Sequence, residues 1–530
     1  MKSRTDQTGR TNLCWAALVG MTRGLLLLAF ATALCPAKAD TPVRPAVPAI
    51  PAVEGPIPVT ANSRPWAQAS AAVEPIDLAK RGYLEEEYFI EGTARTLEWP
   101  AAGRLEEVAR GPYVTRILIR RPKNPREFSG TVVVEPLNPS IRYDLPLIWG
   151  SSHEHFLRHG DVWVGVTVKP VAIAALKEFD RKRYARLGFP NPLPPDRTCG
   201  QERLPMPRGG LPPESSPATE NGLMWDALSQ VGALLKSHDA ANPLKGLAVD
   251  RLYMTGDSQS GGFVLDYAEA IHPFVLGRDG KPLWDGYLAT VATGPGLPLN
   301  QCAAPIPPGD PRLELRPVGV PVMVVVSQSE LQGLRRRPDS DIAPDLFRGY
   351  EVAGASHIHD GDDAGTPTPA DIARTSGANL AVSTACKQDG APGNDVPFGL
   401  LVNGAFANLE AWSRHGVPPP HGAPMDVASP GTPQARLAVD EFGNALGGVR
   451  SPQLDVPVAT YHARMDGPGI CELWGWREPF PRETLSRLYP SHSDYVGKVK
   501  SDVAMLVAQR WLEPEDGNTL VQRASSAPLP

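Results

Sequence analysis

Short apolar runs alternate along the chain with segments whose apolar residues recur at helical spacing. Residues 221–237 place their apolar side chains on one helical face, and residues 263–268 repeat that spacing. The apolar runs are residues 114–119, 131–134, 162–166, 249–253, 286–291, 320–326 and 350–354. Strands of a parallel sheet are apolar throughout, because helices cover both faces of such a sheet. The pattern therefore predicts an α/β fold, with a mostly parallel central sheet and helices on both faces.

One of these runs leads directly into a helix through a serine-containing turn, Gly256-Asp257-Ser258-Gln259-Ser260-Gly261-Gly262. A strand that turns abruptly into a helix through Gly-x-Ser-x-small-Gly holds a serine hydroxyl at the end of a sheet. The turn strains the backbone of the serine, and its flanks must be small so that strand and helix pass closely. We predict Ser258 as the nucleophile of a serine hydrolase, because Gly256 then stands where the strand ends. Ser260, with Ser258 and Gly262 as small flanks, is the alternative.

A carboxylate and a histidine follow Ser258 in the order of an α/β hydrolase. Glu330 comes shortly after the run at 320–326, and His357 comes shortly after the run at 350–354. Both would emerge at the same carboxyl edge of the sheet as Ser258, where open α/β sheets bind ligands. We therefore predict a Ser258–Glu330–His357 triad. Alternatives for the acid and the base stand nearby in the sequence: Asp339, Asp341 and His359.

A serine hydrolase also needs backbone N–H groups that stabilise the oxyanion of the tetrahedral intermediate. The residue after the nucleophile, Gln259, offers one such group. The second should come from the loop that follows the run at 131–134. Pro136 in that loop has no N–H, which leaves Leu137 or Asn138, and we take Leu137 as the predicted donor.

Several of these segments resemble a bacterial branch of the α/β-hydrolase fold whose members are labelled α/β-hydrolase-domain proteins. The resemblance lies in the Ser-Gln-Ser-Gly turn, in Gly-Ala-Ser-His at 354–357, and in the segments 133–138, 412–419 and 443–452. It extends from about residue 52 to 525 and implies hydrolysis of carboxylic esters. Many members carry Asp where this chain has Glu330, which leaves the identity of the acid open. The resemblance also assigns residues 400–525, with predicted helices at 401–412 and 499–511, to the same unit as the sheet.

The N-terminal segment has the features of an export signal. Basic residues precede an apolar run at 24–34, and Ala37-Lys38-Ala39 is a small-x-small cleavage site. We therefore predict a cleavable signal peptide at 1–39 and a periplasmic or secreted protein. Residues 40–58, rich in Pro and Ala, are expected to be extended rather than packed, and 59–525 to form the hydrolase domain. Residues from about 170 to 220, which include a Pro- and Gly-rich stretch at 192–217, are expected to be an insertion or lid over the active face.

Composition limits the possible partners. With 42% hydrophobic residues, 21% charged residues and a net charge of −6, the chain predicts a globular protein without affinity for nucleic acid. No apolar run after the N-terminus is long enough for a membrane span. We expect neither a cofactor nor a metal, since the chain lacks a glycine-rich dinucleotide turn, C-x-x-C and H-E-x-x-H. Four cysteines remain after residue 39, which is compatible with two disulfides of open connectivity: Cys199, Cys302, Cys386 and Cys471.

Since the resemblance implies ester hydrolysis, we expect the substrate to be a small-molecule ester, with carbohydrate and aromatic esters included. A lactonase, a peptidase or an acyltransferase would use the same triad and stays open as an alternative. A catalytically silent binding protein that kept the fold is the alternative from outside the enzymes.

Overall fold

The computed structural model describes residues 41–194, 197–200, 213–358, 365–376, 386–388, 390–429, 436–467 and 469–528. The predicted signal peptide, the alternative base His359 and part of the predicted lid lie outside the described residues. Within the described ranges, no helix is both long and apolar enough to cross a membrane.

A large mixed sheet organises the described part of the chain. Its strands run in the order β10-β11-β9-β8-β7-β5-β6-β4-β3-β2, and β1 pairs with β4 outside this path. These strands are β1 (Thr41–Pro42), β2 (Ala52–Glu54), β3 (Tyr83–Ala101), β4 (Arg104–Pro122), β5 (Thr131–Pro136), β6 (Val162–Val166), β7 (Arg251–Asp257), β8 (Gly286–Thr290), β9 (Val322–Ser327), β10 (Ser340–Ile342) and β11 (Asp345–Val352). Two small antiparallel pairs lie outside the sheet: β12 (Val427–Ala428) with β13 (Arg436–Leu437), and β14 (Ala459–His462) with β15 (Trp476–Pro479).

The centre of the sheet is parallel, from β6 through β5, β7, β8 and β9 to β11. Every residue of β5, β6, β8 and β9 is buried, as expected for strands covered on both faces. Two apolar clusters pack against the sheet. Along β9, Val322, Val324 and Val326 belong to the first cluster, whereas Met323 and Val325 belong to the second. This alternation shows that both faces of the sheet carry a core.

Helices cover both of these faces. The helices are α1 (Leu147–His159), α2 (Pro170–Phe179), α3 (Met224–Leu235), α4 (Gln259–Asp266), α5 (Pro369–Ile372), α6 (Phe398–His415), α7 (Pro452–Asp455), α8 (Arg482–Leu488), α9 (His492–Ala508) and α10 (Pro514–Ser526). The first cluster contains residues of α2, α3 and α4, and the second contains residues of α1, α6, α9 and α10. The predicted α/β class, with helices on both faces of a mostly parallel sheet, is confirmed.

Two regions differ from the sequence-based expectation. The described part of the predicted extended segment, residues 41–58, is packed: β2 pairs with β3, and Ile50, Val53 and Ile57 pack against the first cluster. The helix α2 lies within the predicted insertion at 170–220, yet seven of its residues, Phe179 among them, are buried in the core. Local composition did not reveal these contacts because they are made with distant segments.

Two disulfides join cysteines that are far apart in sequence. Cys199 is bonded to Cys302, and Cys386 is bonded to Cys471. The second bridge adjoins the segment that follows His357, since Ile358 N–H donates to Leu473 O at 2.8 Å. The connectivity that the sequence left open is therefore 199–302 and 386–471.

Candidate functional site

The turn between β7 and α4 has a strained backbone at a single residue. Ser258 has φ 57° and ψ −120°, a conformation that non-glycine residues rarely adopt. Strand and helix pass so closely that a Cβ on Gly256 would lie 2.5 Å from Ser260 O. A Cβ on Gly261 would lie 2.6 Å from Thr290 O. The glycines therefore permit the sharp turn that presents the Ser258 side chain at the edge of the sheet.

Three predicted residues form one hydrogen-bonded row. His357 Nε2 lies 2.8 Å from Ser258 Oγ, and His357 Nδ1 lies 2.7 Å from Glu330 Oε1. The three residues follow β7, β11 and β9, whose parallel alignment brings their carboxyl ends to one edge of the sheet. An imidazole protonated on Nδ1 donates to Glu330 and accepts from the Ser258 hydroxyl, which is the arrangement required for general-base activation of a serine.

The carboxylate of Glu330 is held by the end of its own strand. Glu330 Oε2 accepts from Ser327 N at 3.0 Å and from Ser327 Oγ at 2.7 Å, which forms a capping box. Ser329 Oγ accepts from His357 N at 3.0 Å and donates to Ala463 O at 2.8 Å. These contacts leave Glu330 Oε1 directed at the imidazole.

The alternative acids have other partners. Asp339 and Asp341 both form ion pairs with Arg348, whose side chain is fully buried, and both contact His421. Arg348 lies within β11, so these carboxylates stabilise the strand that precedes the histidine loop. Of the carboxylates weighed in the sequence, Glu330 is the one in contact with His357.

The alternative serine serves the turn itself. Ser260 is fully buried, and its Oγ donates to Asp257 O at 3.0 Å and lies 3.1 Å from Asp257 N. Ser258 is partly exposed and contacts the histidine. The structure therefore separates a serine that holds the turn, Ser260, from one whose hydroxyl contacts the histidine, Ser258.

The predicted second oxyanion donor requires a correction. Leu137 N–H donates to Val166 O at 2.9 Å, because β5 and β6 continue their pairing by one residue. Asn138 N–H donates to Leu145 O at 3.0 Å, so neither of the two predicted N–H groups is available. Gln259, in contrast, is the first residue of α4, where backbone N–H groups have no partner within the helix. The helix dipole also favours negative charge at this end.

The sequence of residues 53–522, most of the chain, matches the family described as the alpha/beta hydrolase domain. The chain belongs to the α/β-hydrolase domain family. No curated protein matches its sequence.

Solved structures share limited similarity with this α/β-hydrolase-domain chain. An alpha-beta serine hydrolase homologue from Coxiella burnetii is 11% identical, with 46% of this chain and 84% of that one covered and a TM-score of 0.25. A lidless serine hydrolase from Xanthomonas campestris is 12% identical, with 53% and 90% covered and a TM-score of 0.24. The poly(3-hydroxybutyrate) depolymerase LpqC from Bordetella parapertussis is 14% identical, with 43% and 66% covered and a TM-score of 0.24.

A buried glutamate at the end of β5, Glu135, fixes the start of helix α1 in this α/β-hydrolase domain. Glu135 accepts from Ile148 N, Trp149 N and Trp163 Nε1, and thereby fixes the start of α1. Burial raises the pKa of Glu135 to about 8. The sequence resemblance included this residue in the segment 133–138, but its structural role depends on contacts with distant residues.

Sequence reasoning missed a polar network that reaches the nucleophile turn. Glu214 accepts from Arg142 Nη1 at 2.6 Å and from Gln259 Nε2 at 3.1 Å. Ser140 Oγ donates to Gln259 Oε1 at 3.2 Å. Glu214 thus connects the loop after β5 with the residue after Ser258. No sequence signal marked it, because it lies in the Pro-rich stretch that composition identified only as irregular.

One cluster of side chains has donor atoms suited to a metal. His155, His159 and Glu513 offer ligand atoms that all lie within 4.8 Å of one another. Arg158 also donates to Glu513, at 2.5 Å, so the carboxylate already has a cationic partner. The hydrogen bond that His159 donates to Glu513 raises the pKa of His159. The cluster therefore fits an ion-pair network that joins α1 to the start of α10.

Proposed function

We propose that this protein is a serine hydrolase that cleaves carboxylic esters through an acyl-enzyme. The observation that carries the proposal is the row of hydrogen-bonding distances from Ser258 Oγ through His357 to Glu330. A strained serine at a strand-to-helix turn and membership in the α/β-hydrolase domain family support the same chemistry.

In this mechanism Ser258 Oγ attacks the ester carbonyl carbon while His357 Nε2 takes the hydroxyl proton. Glu330 holds the imidazole in the required tautomer and stabilises the imidazolium that forms. The tetrahedral intermediate collapses, His357 returns the proton to the leaving alcohol, and the acyl group stays on Ser258. Water, activated by the same histidine, then releases the acid.

Gln259 N–H is the proposed donor to the oxyanion from the helix side. It lies directly after the nucleophile, where the developing negative charge of the intermediate arises. Asn138 acts as a positioning residue: its Nδ2 donates to Asp257 O at 2.8 Å and fixes the backbone that leads into Ser258.

Fluorophosphonate labelling with mass spectrometry of the modified peptide tests the proposal. The label is expected on Ser258, and Ser258→Ala should lower kcat for a para-nitrophenyl ester by about 10⁴-fold or more. Ser260→Ala is the matched control, because its hydroxyl contacts backbone atoms of the turn; it should keep labelling and most of the turnover. A label on neither serine, together with no ester turnover, would identify a silent binding protein and refute the proposal.

A substrate panel separates ester hydrolysis from the related reactions. Simple aryl esters, lactones, a peptide set and an added alcohol acceptor should be compared at equal enzyme concentration. We expect kcat/KM to be highest for the esters. Preferential turnover of lactones or peptides, or acyl transfer to the alcohol exceeding hydrolysis, would contradict the ester assignment while keeping the triad.

We further propose that residues 1–39 direct export and are removed. Two disulfides support this, since such bonds persist in oxidising compartments. N-terminal sequencing of the protein recovered from a secreting host tests it, and a mature chain that begins near Asp40 is expected. Recovery only of the uncleaved chain in the cytoplasm would contradict it.

A further inference from the structure

A half-buried lysine lies at the edge of the sheet that carries the proposed active site, and it has no role in the proposed mechanism. Lys169 follows β6 at the carboxyl end of the parallel strands, the same edge at which Ser258 follows β7. Its ammonium lies 4.7 Å from the centre of the Phe263 ring, and Phe263 belongs to α4, the helix that begins directly after Ser258. The residue keeps intermediate exposure, so its side chain is partly open to solvent.

Within the described residues, Lys169 forms neither an ion pair nor a side-chain hydrogen bond. Three carboxylates interact with it electrostatically: Glu214, Glu220 and Asp266. Each of them has other donors. Glu214 binds Arg142 and Gln259, Glu220 accepts from backbone N–H groups of Gly222 and Gln301, and Asp266 accepts from those of Gly296 and Leu297.

An ammonium in such a place is costly unless something satisfies its hydrogen-bonding capacity. An ammonium has three donors, and taking it from water without partners is unfavourable. The contact with Phe263 compensates only in part, by about 0.5–2 kcal/mol. A lysine held in this way is suited to bind an anionic group that arrives with a ligand.

Resting on the proposed ester hydrolysis, we infer that Lys169 binds a carboxylate of the substrate, so that the preferred substrates are esters with a free carboxylate. The carboxylate would accept a charge-assisted hydrogen bond from the ammonium, while the ester carbonyl lies at Ser258. Glu214 supports the placement because it adjoins both residues: it contacts Gln259, the neighbour of Ser258, and it interacts with Lys169.

Matched ester pairs test the inference and locate the carboxylate. Mono-para-nitrophenyl glutarate against para-nitrophenyl pentanoate places the charge in the acyl group. Para-acetoxybenzoate against phenyl acetate places it in the alcohol group. In at least one pair, wild-type kcat/KM should favour the anionic ester, and Lys169→Met should lower that preference about 10- to 100-fold. Lys169→Arg should restore most of the preference, and Lys245→Met, which removes an exposed lysine, should leave it unchanged.

A second measurement keeps the inference testable if Lys169→Met does not fold. Burial lowers the pKa of Lys169 to about 8. The anionic preference of the wild-type enzyme should therefore decline between pH 7 and 9, as the ammonium loses its proton. The ratio within a pair cancels every effect that acts equally on both esters, and the charged groups that interact with Lys169 are the three carboxylates named above.

The outcomes separate the two proposals. If Lys169→Met lowers kcat/KM equally for both esters of each pair, the role of Lys169 is overturned and ester hydrolysis stands. The same holds if the wild-type preference for the anionic ester is constant with pH. Absence of turnover for all four esters, without labelling of Ser258, would overturn the proposed function itself.

Discussion

Replacement of Glu330 by glutamine removes a charge while it keeps the shape of the side chain. Glu330 Oε2 accepts twice from Ser327, and Oε1 lies 2.7 Å from His357 Nδ1. In Glu330→Gln the amide oxygen is expected to keep the contacts with Ser327, which turns the amide nitrogen towards the imidazole. That nitrogen is a donor, so it favours the tautomer with the proton on Nε2. His357 can then no longer accept the proton of Ser258.

The size of the effect follows from the charge that is lost. Two unit charges about 4 Å apart at an effective dielectric constant of about 20 interact by about 4 kcal/mol, which corresponds to about 10³-fold in rate. The tautomer change adds to this, so kcat for Glu330→Gln should fall by about 10³- to 10⁴-fold. Glu330→Asp keeps the charge but withdraws it by about 1.5 Å, one C–C bond. The kcat of Glu330→Asp should fall by about 10- to 100-fold, because the carboxylate can no longer contact both Ser327 and His357.

The assay is steady-state hydrolysis of a para-nitrophenyl ester, with thermal unfolding as the check on folding. Asp341→Asn is the control, since Asp341 contacts Arg348 and His421 and should affect stability more than kcat. A kcat for Glu330→Gln within tenfold of the wild type, at unchanged Tm, would refute the assignment of Glu330. A loss of 10³-fold in Asp341→Asn with an unchanged Tm would refute it as well.

Three further predictions concern the stability of the fold. Gly261→Ala should destabilise by about 1–3 kcal/mol through contact with Thr290 O, whereas Gly262→Ala, whose Cβ would lie 3.6 Å from its nearest neighbour, should be neutral or stabilising in urea unfolding; equal effects would contradict the turn geometry. Joint replacement of Cys386 and Cys471 by alanine should cost about 2–5 kcal/mol, by the loop-closure argument, and an unchanged Tm would contradict that bridge. Burial alone would raise the pKa of Glu513, but hydrogen bonds from His155 and His159 lower it. Its contribution to stability is therefore present above the ordinary pKa of 4.5 and lost as the pH falls, so Glu513→Gln should destabilise at pH 6 more than at pH 3; a pH-independent difference would contradict this.

The parallel strands could be predicted from the sequence because they are buried on both faces. The run at 162–166 is β6 without a shift, and the run at 286–291 differs from β8 by one residue. The long hairpin of β3 and β4 was predicted only in part, at 114–119. Its inward positions include charged residues, among them Glu87 and Arg116, which form a fully buried ion pair. Charged residues at inward positions interrupt the recurrence of apolar residues from which strands are predicted.

The candidate site shows the same division between local and distant causes. Ser258, Glu330 and His357 each come within a few residues of the end of a strand, so their meeting at one edge follows from the order of the strands and from parallel pairing. The hydrogen bond from Leu137 N–H to Val166 O could not be predicted, because it depends on how far β5 and β6 remain paired. Glu214 and Lys169 belong to segments that carry no motif, and only the folded chain brings them to the edge of the sheet where Ser258 lies.

The strain at Ser258 persists because several contacts fix the residues on either side of it. Ser258 N–H donates to Thr290 O at 3.0 Å, which ties the turn to β8. The preceding carbonyl, Asp257 O, accepts from both Asn138 Nδ2 and Ser260 Oγ. A non-glycine residue in this region costs about 1–3 kcal/mol, and each of these hydrogen bonds contributes about 0.5–1.5 kcal/mol, so the set is sufficient to hold the conformation. The second serine of the Ser-Gln-Ser turn therefore contributes one hydrogen bond to this set through the backbone, and the remaining contacts should hold Ser258 at the imidazole when the Ser260 hydroxyl is removed.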